Sequence, residues 1–388
     1  MPLSSQARFR MSAAVALGLS AVFILSIAAS DIQNQIDNAP RVLPVLSNGN
    51  PAGYGTWRDF RDYGAPHYGG LGSMINPPLS DAEFKSHFLF GRDKIAEVLA
   101  CLQFPKTAGR PANRDFAIRC DRHGNPIRWV GAETALLVFL KRLRTRGDAV
   151  IQLQSFFGRS EGWISLVFNA VVTFIAAVWV PIKIQRLDER VFNRFRLQDY
   201  AKCLWRNGLY IPHVVGFVDG TFHSICRPGG DGYNGTLQQA FYNASKKGHG
   251  LQFELITFPD GIIGRAFGPL AGRHHDLYVA RKSGLRDLLR TGALKGFRLF
   301  GDKAYLGFRT WVLHPFVNAL PGSLKAKWNT YTSSYRIEVE HDIGMLYMHA
   351  CCLTSDMRLE TQVPEDWFQA AVLIVNIHTC VYHGNQTS

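Results

Sequence analysis

Two aspartates in the second half of the chain each follow an apolar run that predicts a buried strand. Asp219 stands in the sequence GFVDGT and Asp302 stands in LFGDKAY. An acid directly after a buried strand lies at the rim of a sheet, where ligands collect at the carboxyl ends of strands. Gly220 and Gly301 beside these acids allow backbone or substrate to approach closely. Each aspartate taken alone also fits an ordinary turn after a strand.

A third acid is expected in SYRIEVEHDIG, residues 334–344, where Glu338, Glu340 and Asp342 compete. The apolar positions of this segment follow helical spacing. Glu340 lies one turn before Gly344, a residue that we expect to allow close packing of the helix on the sheet. The residues alone leave the choice among the three acids open.

Carboxylates from distant parts of a chain suit one chemistry in particular. Mg²⁺ and Mn²⁺ take oxygen ligands and need few carboxylates from the protein. Two such ions about 4 Å apart activate water and hold the leaving oxygen when a phosphodiester bond is cut. A metal-dependent cut of a nucleic-acid strand is therefore the chemistry that these acids predict.

Composition agrees with a polyanionic partner. The 388 residues include 43 Lys and Arg against 30 Asp and Glu, a formal charge of +13, which fits nucleic acid or an anionic membrane surface. Hydrophobic residues make up 47%, enough for a buried core. The seven cysteines are irregularly spaced without a CxxC pair, which argues against a secreted disulfide framework and a zinc finger.

The N-terminal region has a different character. Residues 11–30 form an uncharged apolar stretch preceded by Arg8 and Arg10, a pattern typical of a secretory signal or a short membrane anchor. An N-terminal core helix is the alternative. Residues 31–80 are rich in Gly, Pro, Asn and Ser and predict a surface segment or linker.

A helical region follows. Ser80 with Glu83 predicts a capping box at the start of a helix. A second helix is expected from about residue 130, then a short helix, a break at Gly158 and a third helix capped by Ser160. This is a helix-turn-helix layout, in which the third helix would carry Arg159 towards DNA. A small helical bundle without DNA contact shares the pattern.

The third helix is apolar enough over residues 164–180 to suggest a membrane span. Its polar residues Ser165, Asn169 and Thr173 recur every fourth position and therefore share one face. That spacing favours an amphipathic helix buried on its other side.

The second half of the chain alternates between strand-like and helical patterns. The predicted strands are 214–218, 222–226, 251–258, 262–267 and 298–300, and the predicted helices are about 276–291, 334–350 and 365–382, the last with Pro364 in its first turn. This order predicts an α/β fold with a mixed sheet covered by helices.

Taken in chain order, these segments resemble the PIF/Harbinger family of DDE transposases and the nucleases derived from it. The likeness covers about residues 80–380 and is carried by VDGTFHSICRPG (218–229), FYNASKKGHGLQFELITFPDGIIGRAFGPLAGRHHD (241–276), LFGDKAYLGF (299–308), LHPF (313–316) and WNTYTSSYRIEVEHDIG (328–344). The family's last motif, Arg-x-x-Val-Glu followed by Gly, matches Arg336 to Glu340 and Gly344.

The resemblance implies an RNase H-like catalytic domain preceded by a helical, helix-turn-helix-like domain. The expected boundaries are 1–79 for an apolar helix and linker, 80–205 for the helical domain and 206–388 for the nuclease domain. Asp219, Asp302 and Glu340 would be ligands of Mg²⁺ or Mn²⁺. Asp276 matches a further family acid that would either ligate metal or hold its helix. Metal-activated water would cut a strand, whose 3′-hydroxyl then attacks a target.

Partners follow from the same likeness. We expect DNA, a Myb-like DNA-binding partner protein and a homo-oligomer, no small-molecule cofactor, and a nuclear location, with a membrane-associated or secreted protein as the alternative raised by residues 11–30. Cations near the acids in sequence are expected to face phosphate, with a solvated surface as the alternative. With Arg159 they are Lys246, Lys247, Arg265, Arg273 and Lys303.

Two departures from the family keep a second function open. Phe222 follows Asp-Gly-Thr where many relatives have His, and MLYMHACCLT follows Gly344 where many have a basic segment. The alternative is a domesticated, catalytically silent module that binds DNA or protein.

Overall fold

The computed structural model describes residues 79–120, 125–147, 151–228, 233–359 and 362–382. The expectations for residues 11–30 and for the linker up to residue 78 lie outside this part of the chain.

The capping box at the first described helix is present. Helix α1 (Asp81–Phe88) begins after Ser80, whose side chain accepts a hydrogen bond from the Glu83 N–H, while the Glu83 carboxylate accepts one from the Ser80 N–H. Helix α2 (Arg92–Leu102) follows after Gly91. The sequence patterns did not predict the antiparallel hairpin that comes next, β1 (Phe116–Cys120) and β2 (Pro126–Val130).

The predicted helix, short helix, glycine break and helix are all found. They are α3 (Ala132–Leu143), α4 (Ile151–Phe157) and α5 (Glu161–Val178), with Gly158 at a φ of 59° between the last two. Ser160 caps α5 by accepting a hydrogen bond from the Trp163 N–H.

Helix α5 is amphipathic, as the spacing of its polar residues predicts. Asn169 is exposed and Ser165 and Thr173 are half-buried, while the opposite side is buried and packs against α3 and α12 (Pro364–Tyr382). Of the described helices, α5 is the one whose length and hydropathy would suffice to cross a membrane. In this fold its apolar side forms part of the core.

The sheet is mixed, with β5 (Gly248–Thr257) and β3 (Val214–Ser224) at its centre. On one side of β5 lie β4 (Tyr242–Asn243) and β6 (Ile263–Ala271), all antiparallel. On the free side of β3, β7 (Arg298–Phe300) and β8 (Val312–Leu313) run parallel to it. The predicted mixed sheet flanked by helices is therefore confirmed.

One strand prediction is wrong in an informative way. The sequence patterns predicted two strands separated at Asp219 and Gly220, but β3 is continuous over 11 residues. Both residues pair with β5, Asp219 opposite Leu255 and Gly220 opposite Glu254. The neighbouring β5 supplies ladder partners, so two poor strand formers stay extended. Asp219 therefore lies within β3, where it is still paired with β5, and does not follow the end of the strand.

Helices cover the sheet. Two short helices, α6 (Val180–Lys183) and α7 (Arg194–Arg206), precede β3, and α8 (Tyr233–Phe241) follows it. The helix predicted at 276–291 is two helices, α9 (Asp276–Lys282) and α10 (Leu285–Arg290), because Gly284 adopts a φ of 71° between them.

The last helices differ in how well their bounds were predicted. Helix α12 spans Pro364–Tyr382, as predicted. Helix α11 (Leu324–His349) begins ten residues earlier than the pattern suggested, where Ser323 caps it by accepting a hydrogen bond from the Ala326 N–H. A single cluster of buried side chains joins α1–α5, the sheet and α12. Two 3₁₀ turns, Lys303–Phe308 and Cys351–Thr354, complete the second half.

Candidate active site

Strand pairing sets Asp219 and Asp302 level with each other. On parallel strands β3 and β7, Phe217 pairs with Phe300, and each acid stands two residues further on. Adjacent strands lie about 4.8 Å apart. Asp219 and Asp302 therefore stand side by side, two residues beyond the last position at which β3 and β7 pair. Beyond Phe300 the pairing between β7 and β3 ends, which leaves that edge of β3 free. Both aspartates are half-buried there.

Each aspartate is oriented by a backbone N–H close to it. Asp219 Oδ1 accepts a hydrogen bond of 2.9 Å from the Gly220 N–H. Asp302 Oδ1 accepts one of 2.7 Å from the Ala304 N–H and so caps the 3₁₀ turn Lys303–Phe308. Such bonds to a carboxylate fix its rotamer before any ligand binds.

Asp276 joins this edge from the other side of β3. It is the first residue of α9, and its carboxylate packs against Gly220, where even the Cβ of an alanine would collide with Asp276 Oδ1. Burial, and after it the nearby Asp302 carboxylate, raises the pKa of Asp276, while Lys246 and His275 lower it. The glycine expected to allow close approach therefore admits a carboxylate of the protein itself.

Tyr305 lies beneath the acids. Its side chain is fully buried, and its hydroxyl makes no hydrogen bond in the described part of the chain. Burial raises the pKa of Tyr305 well above its ordinary value, and the carboxylates of Glu254, Asp276, Asp219 and Asp302 raise it further. The charge of all four acids therefore acts on this one phenol, which associates Glu254 with the three aspartates of the sheet edge.

Glu254 is the member of this group that the sequence patterns missed. It is 1% exposed on β5 opposite Gly220, and its carboxylate lies 3.6 Å from Arg265 Nη1. Burial raises the pKa of Glu254 to about 7, against the lowering effects of Ser283 and Arg265. Nothing in the apolar run LQFELIT distinguishes Glu254 from a solvent-facing strand position.

Arg265 is accordingly not a surface cation. Arg265 is among the cations that the sequence led us to expect to face phosphate, but this residue is only 8% exposed. Its guanidinium donates to the backbone carbonyls of Gln185 and Ser283 and faces Glu254. Buried charges need such partners, and this pairing uses the guanidinium inside the fold.

The other predicted cations are better placed for a surface role. Lys246, Lys247, Arg273 and Lys303 are exposed. Lys246 is close enough to Asp276 to lower its pKa, and Lys303 directly follows Asp302. Arg159 is half-buried, with its guanidinium carbon 5.5 Å from the centre of the Trp163 ring.

Glu340 lies on α11 and is exposed. Gly344, one turn later, is exposed as well, and a Cβ there would meet nothing within 4 Å. The expectation that Gly344 allows close packing of this helix on the sheet is therefore wrong. Ile343 and Tyr347 make that contact instead: Ile343 packs against the apolar cluster that includes Phe217 and Phe300, and the Tyr347 hydroxyl lies 3.1 Å from Thr221 Oγ1.

In the described residues, no three His, Cys, Asp or Glu side chains are arranged closely enough to form a ready-made metal site. The chemistry of the donor set nevertheless fits a divalent cation. Asp219, Asp276 and Asp302 supply the hard oxygen ligands that Mg²⁺ and Mn²⁺ prefer, and their mutual repulsion is what a cation would relieve.

Comparison with known proteins agrees with this edge. Residues 218–376 match the family model of a DDE superfamily endonuclease, and this stretch includes Asp219, Asp276, Asp302 and Glu340. No curated protein and no solved structure matches the chain. The part of the chain that bears the acids is thus similar to the nucleases of the transposase type.

Proposed function

We propose that this protein cuts DNA strands in a reaction that depends on Mg²⁺ or Mn²⁺, as a DDE transposase or a nuclease derived from one. The observation that carries the proposal is the pairing of β3 with β7, which brings Asp219 and Asp302 to neighbouring places at one sheet edge, with the Asp276 carboxylate packed against Gly220 beside them. Like charges held together at a sheet edge favour a bound cation.

Asp219 and Asp302 would hold the metal, with Asp276 as a further ligand or as the support of α9. A bound divalent ion would supply activated water and stabilise the charge that develops on the leaving oxygen. The protein's own contribution is orientation, because the Gly220 and Ala304 N–H groups hold the two carboxylates in place. In this proposal the acids are ligands and not nucleophiles.

Glu340 is the third acid of the proposal, supported by its phase on α11. Positions 340, 343 and 347 share one stripe of a helix, and Ile343 and Tyr347 both face β3. The stretch that matches the DDE superfamily endonuclease model also includes Glu340. In this proposal Glu340 completes the metal site beside Asp219 and Asp302.

The exposed cations Lys246, Lys247, Arg273 and Lys303 would contact phosphates on either side of the cut, and Arg159 would contact DNA from the helical region. An RNase H-like domain of the PIF/Harbinger type, a Myb-like partner protein, a homo-oligomer and a nuclear location belong to the same proposal. Parallel β7 and β8 beside the antiparallel β3, β5 and β6 support the fold assignment.

Cleavage of a supercoiled plasmid and of labelled duplexes carrying the element's terminal repeats tests the proposal. Wild-type protein with Mg²⁺ or Mn²⁺ is expected to nick the DNA, and chelation by EDTA is expected to stop it. Asp219→Asn keeps the Gly220 contact and removes the charge, so activity should fall on the order of 10²-fold or more. Nicks that persist at the wild-type rate in Asp219→Asn would exclude this site.

The exposure of Glu340 favours one alternative, a silent module that binds DNA without cutting it. It predicts DNA binding that weakens with salt, no nicking with either metal, and no change in binding on substitution of Glu340.

A further inference from the structure

Five aromatic side chains lie in two adjoining groups on the surface between α7 and the start of α11. Trp205 packs edge-on against Tyr210 at 5.5 Å between ring centres, Tyr331 lies 6.2 Å from Trp328, and Trp328 lies 6.4 Å from Phe316. The Tyr210 N–H donates to the Tyr331 hydroxyl at 2.8 Å and connects the two halves. We call these five residues the aromatic row.

The row is open to solvent at several points. Tyr210 is 65% exposed, Trp205 46% and Phe316 42%, while Trp328 and Tyr331 are half-buried. Large aromatic rings are costly to expose in this way, and a group of them on a surface marks a binding site.

The two chain segments that carry the row contain cations and no acids. Residues 303–337 contain no Asp or Glu, and neither do residues 200–218. Lys325 and Lys327 are exposed in the first turn of α11, where cations oppose the helix dipole, and Lys325 Nζ lies 5.6 Å from the centre of the Phe316 ring. Arg206 is exposed next to Trp205. The surroundings therefore attract an anionic ligand.

From these features we propose that the aromatic row binds single-stranded DNA, with unpaired bases stacked on its rings and phosphates near Lys325, Lys327 and Arg206. Every base has a face that stacks on an aromatic ring, and cations beside the rings follow the backbone. Lysine is depleted in protein–protein interfaces, so the exposed Lys325 and Lys327 favour a nucleic-acid ligand over a protein partner. Bases inside an intact duplex are not free to stack on protein, so the ligand is an unpaired strand.

The inference deepens the proposed nuclease function and depends on it for the origin of the strand. Trp328 and Glu340 are twelve residues apart on α11, about 18 Å along a helix. A strand held by the row thus lies within a few nucleotides of the proposed cut, where a frayed or nicked end would supply unpaired bases. The row would hold DNA next to the acids without belonging to the metal site.

Two substitutions test the row with little effect on folding. The Tyr210 side chain projects into solvent, and the Phe316 backbone is held independently of its ring by Asn329, which accepts from the Phe316 N–H and donates to its carbonyl. Binding of a fluorescein-labelled oligo(dT) of 12 nucleotides is measured by anisotropy for wild type, Tyr210→Ala, Phe316→Ala and the double variant. Phe195→Ala, on an exposed ring of α7 outside the row, is the matched control.

We expect the double variant to bind oligo(dT) at least tenfold more weakly, Tyr210→Phe to keep wild-type affinity and Phe195→Ala to change little. Lys325→Gln with Lys327→Gln should reduce the salt dependence of binding. Unchanged affinity in the double variant, with melting temperatures equal to wild type, would overturn the proposal. So would a wild-type dimer in sedimentation that only the row variants dissociate, because a second copy would then cover the row. Asp219→Asn separates the two proposals, since it removes nicking and leaves oligo(dT) binding intact if both hold.

Discussion

At the scale of single residues, the acids of the sheet edge differ in the environment that each one meets. Asp219 and Asp302 are held by backbone N–H groups, Asp276 is pressed against Gly220, and Glu254 is buried beside Arg265. Burial, and after it the charge of neighbouring carboxylates, raises the pKa of Asp276 and of Tyr305. A cation at this edge would therefore find negative charge that the fold has already assembled.

The choice of third acid is a prediction at the same scale. Glu340→Gln should lower Mg²⁺-dependent nicking on the order of 10²-fold, because a metal ligand supplies several kcal/mol to the transition state. Glu338→Gln should stay within a few-fold of wild type, because position 338 lies about 200° around the helix from position 340. Rates are measured on one labelled duplex. Equal losses in the two variants would show that helical phase does not select the ligand.

At the scale of elements, the contact between α9 and β3 decides whether Asp276 reaches the edge. Gly220 has no Cβ, so the first turn of α9 comes against the backbone of β3. The ladder from Phe217 to Ser224 with β5 keeps this stretch of β3 extended and prevents it from moving away. The position of Asp276 is thus a property of two elements, and neither sets it alone.

Gly220→Ala tests this contact. The new methyl group would push α9 away from β3, which should destabilise the protein by about 1–3 kcal/mol and weaken the stabilisation by Mg²⁺. Urea unfolding with and without Mg²⁺ is the measurement. Gly344→Ala is the matched control, since a Cβ there has open space and alanine favours a helix interior by up to about 1 kcal/mol. A Gly220→Ala protein as stable as wild type and with full metal response would contradict the contact.

At the scale of the whole molecule, two buried histidines bring together the end of α11, α12 and the segment between α1 and α2. The rings of His349 and His378 lie 4.6 Å apart between centres, and His378 also contacts Phe90 and Tyr382. Burial lowers the pKa of His349 to about 4 and of His378 to about 3, and Arg144 adds to both effects, with Lys85 acting on His378. Both rings are therefore neutral when the protein is folded at neutral pH.

This burial predicts a loss of stability in acid. The unfolded chain binds a proton at each ring below a pH of about 6.5, and the folded chain does not do so until about pH 4 or 3. Within that window, each histidine therefore lowers the free energy of unfolding by about 1.4 kcal/mol for each unit by which the pH falls. Above the window it has no such effect. His378→Phe should lower the slope of unfolding free energy against pH by about that amount between pH 6 and 4. Urea unfolding at a series of pH values is the measurement. A slope in His378→Phe equal to that of wild type would contradict the burial of this ring in its neutral form.

Local patterns alone were enough to place most of the elements. The Ser80 capping box, the amphipathic α5, the strand at Arg298–Phe300 and the helix starting at Pro364 depend on neighbours in sequence, so their residues reveal them. Asp219 and Asp302 were recognised in the same way, because each follows an apolar run. Interactions within one turn or one strand are short in range, and periodicity records them.

Tertiary structure decided what distant segments do to one another. It kept β3 continuous through Asp219, buried Arg265 against Glu254, exposed Gly344 and assembled the aromatic row from two remote segments. Whether a charge is buried or a glycine is crowded depends on which surface packs over it, and that surface comes from elsewhere in the chain. The sequence by itself therefore determined which residues are able to do the chemistry, and the packing of sheet and helices determined which of them meet.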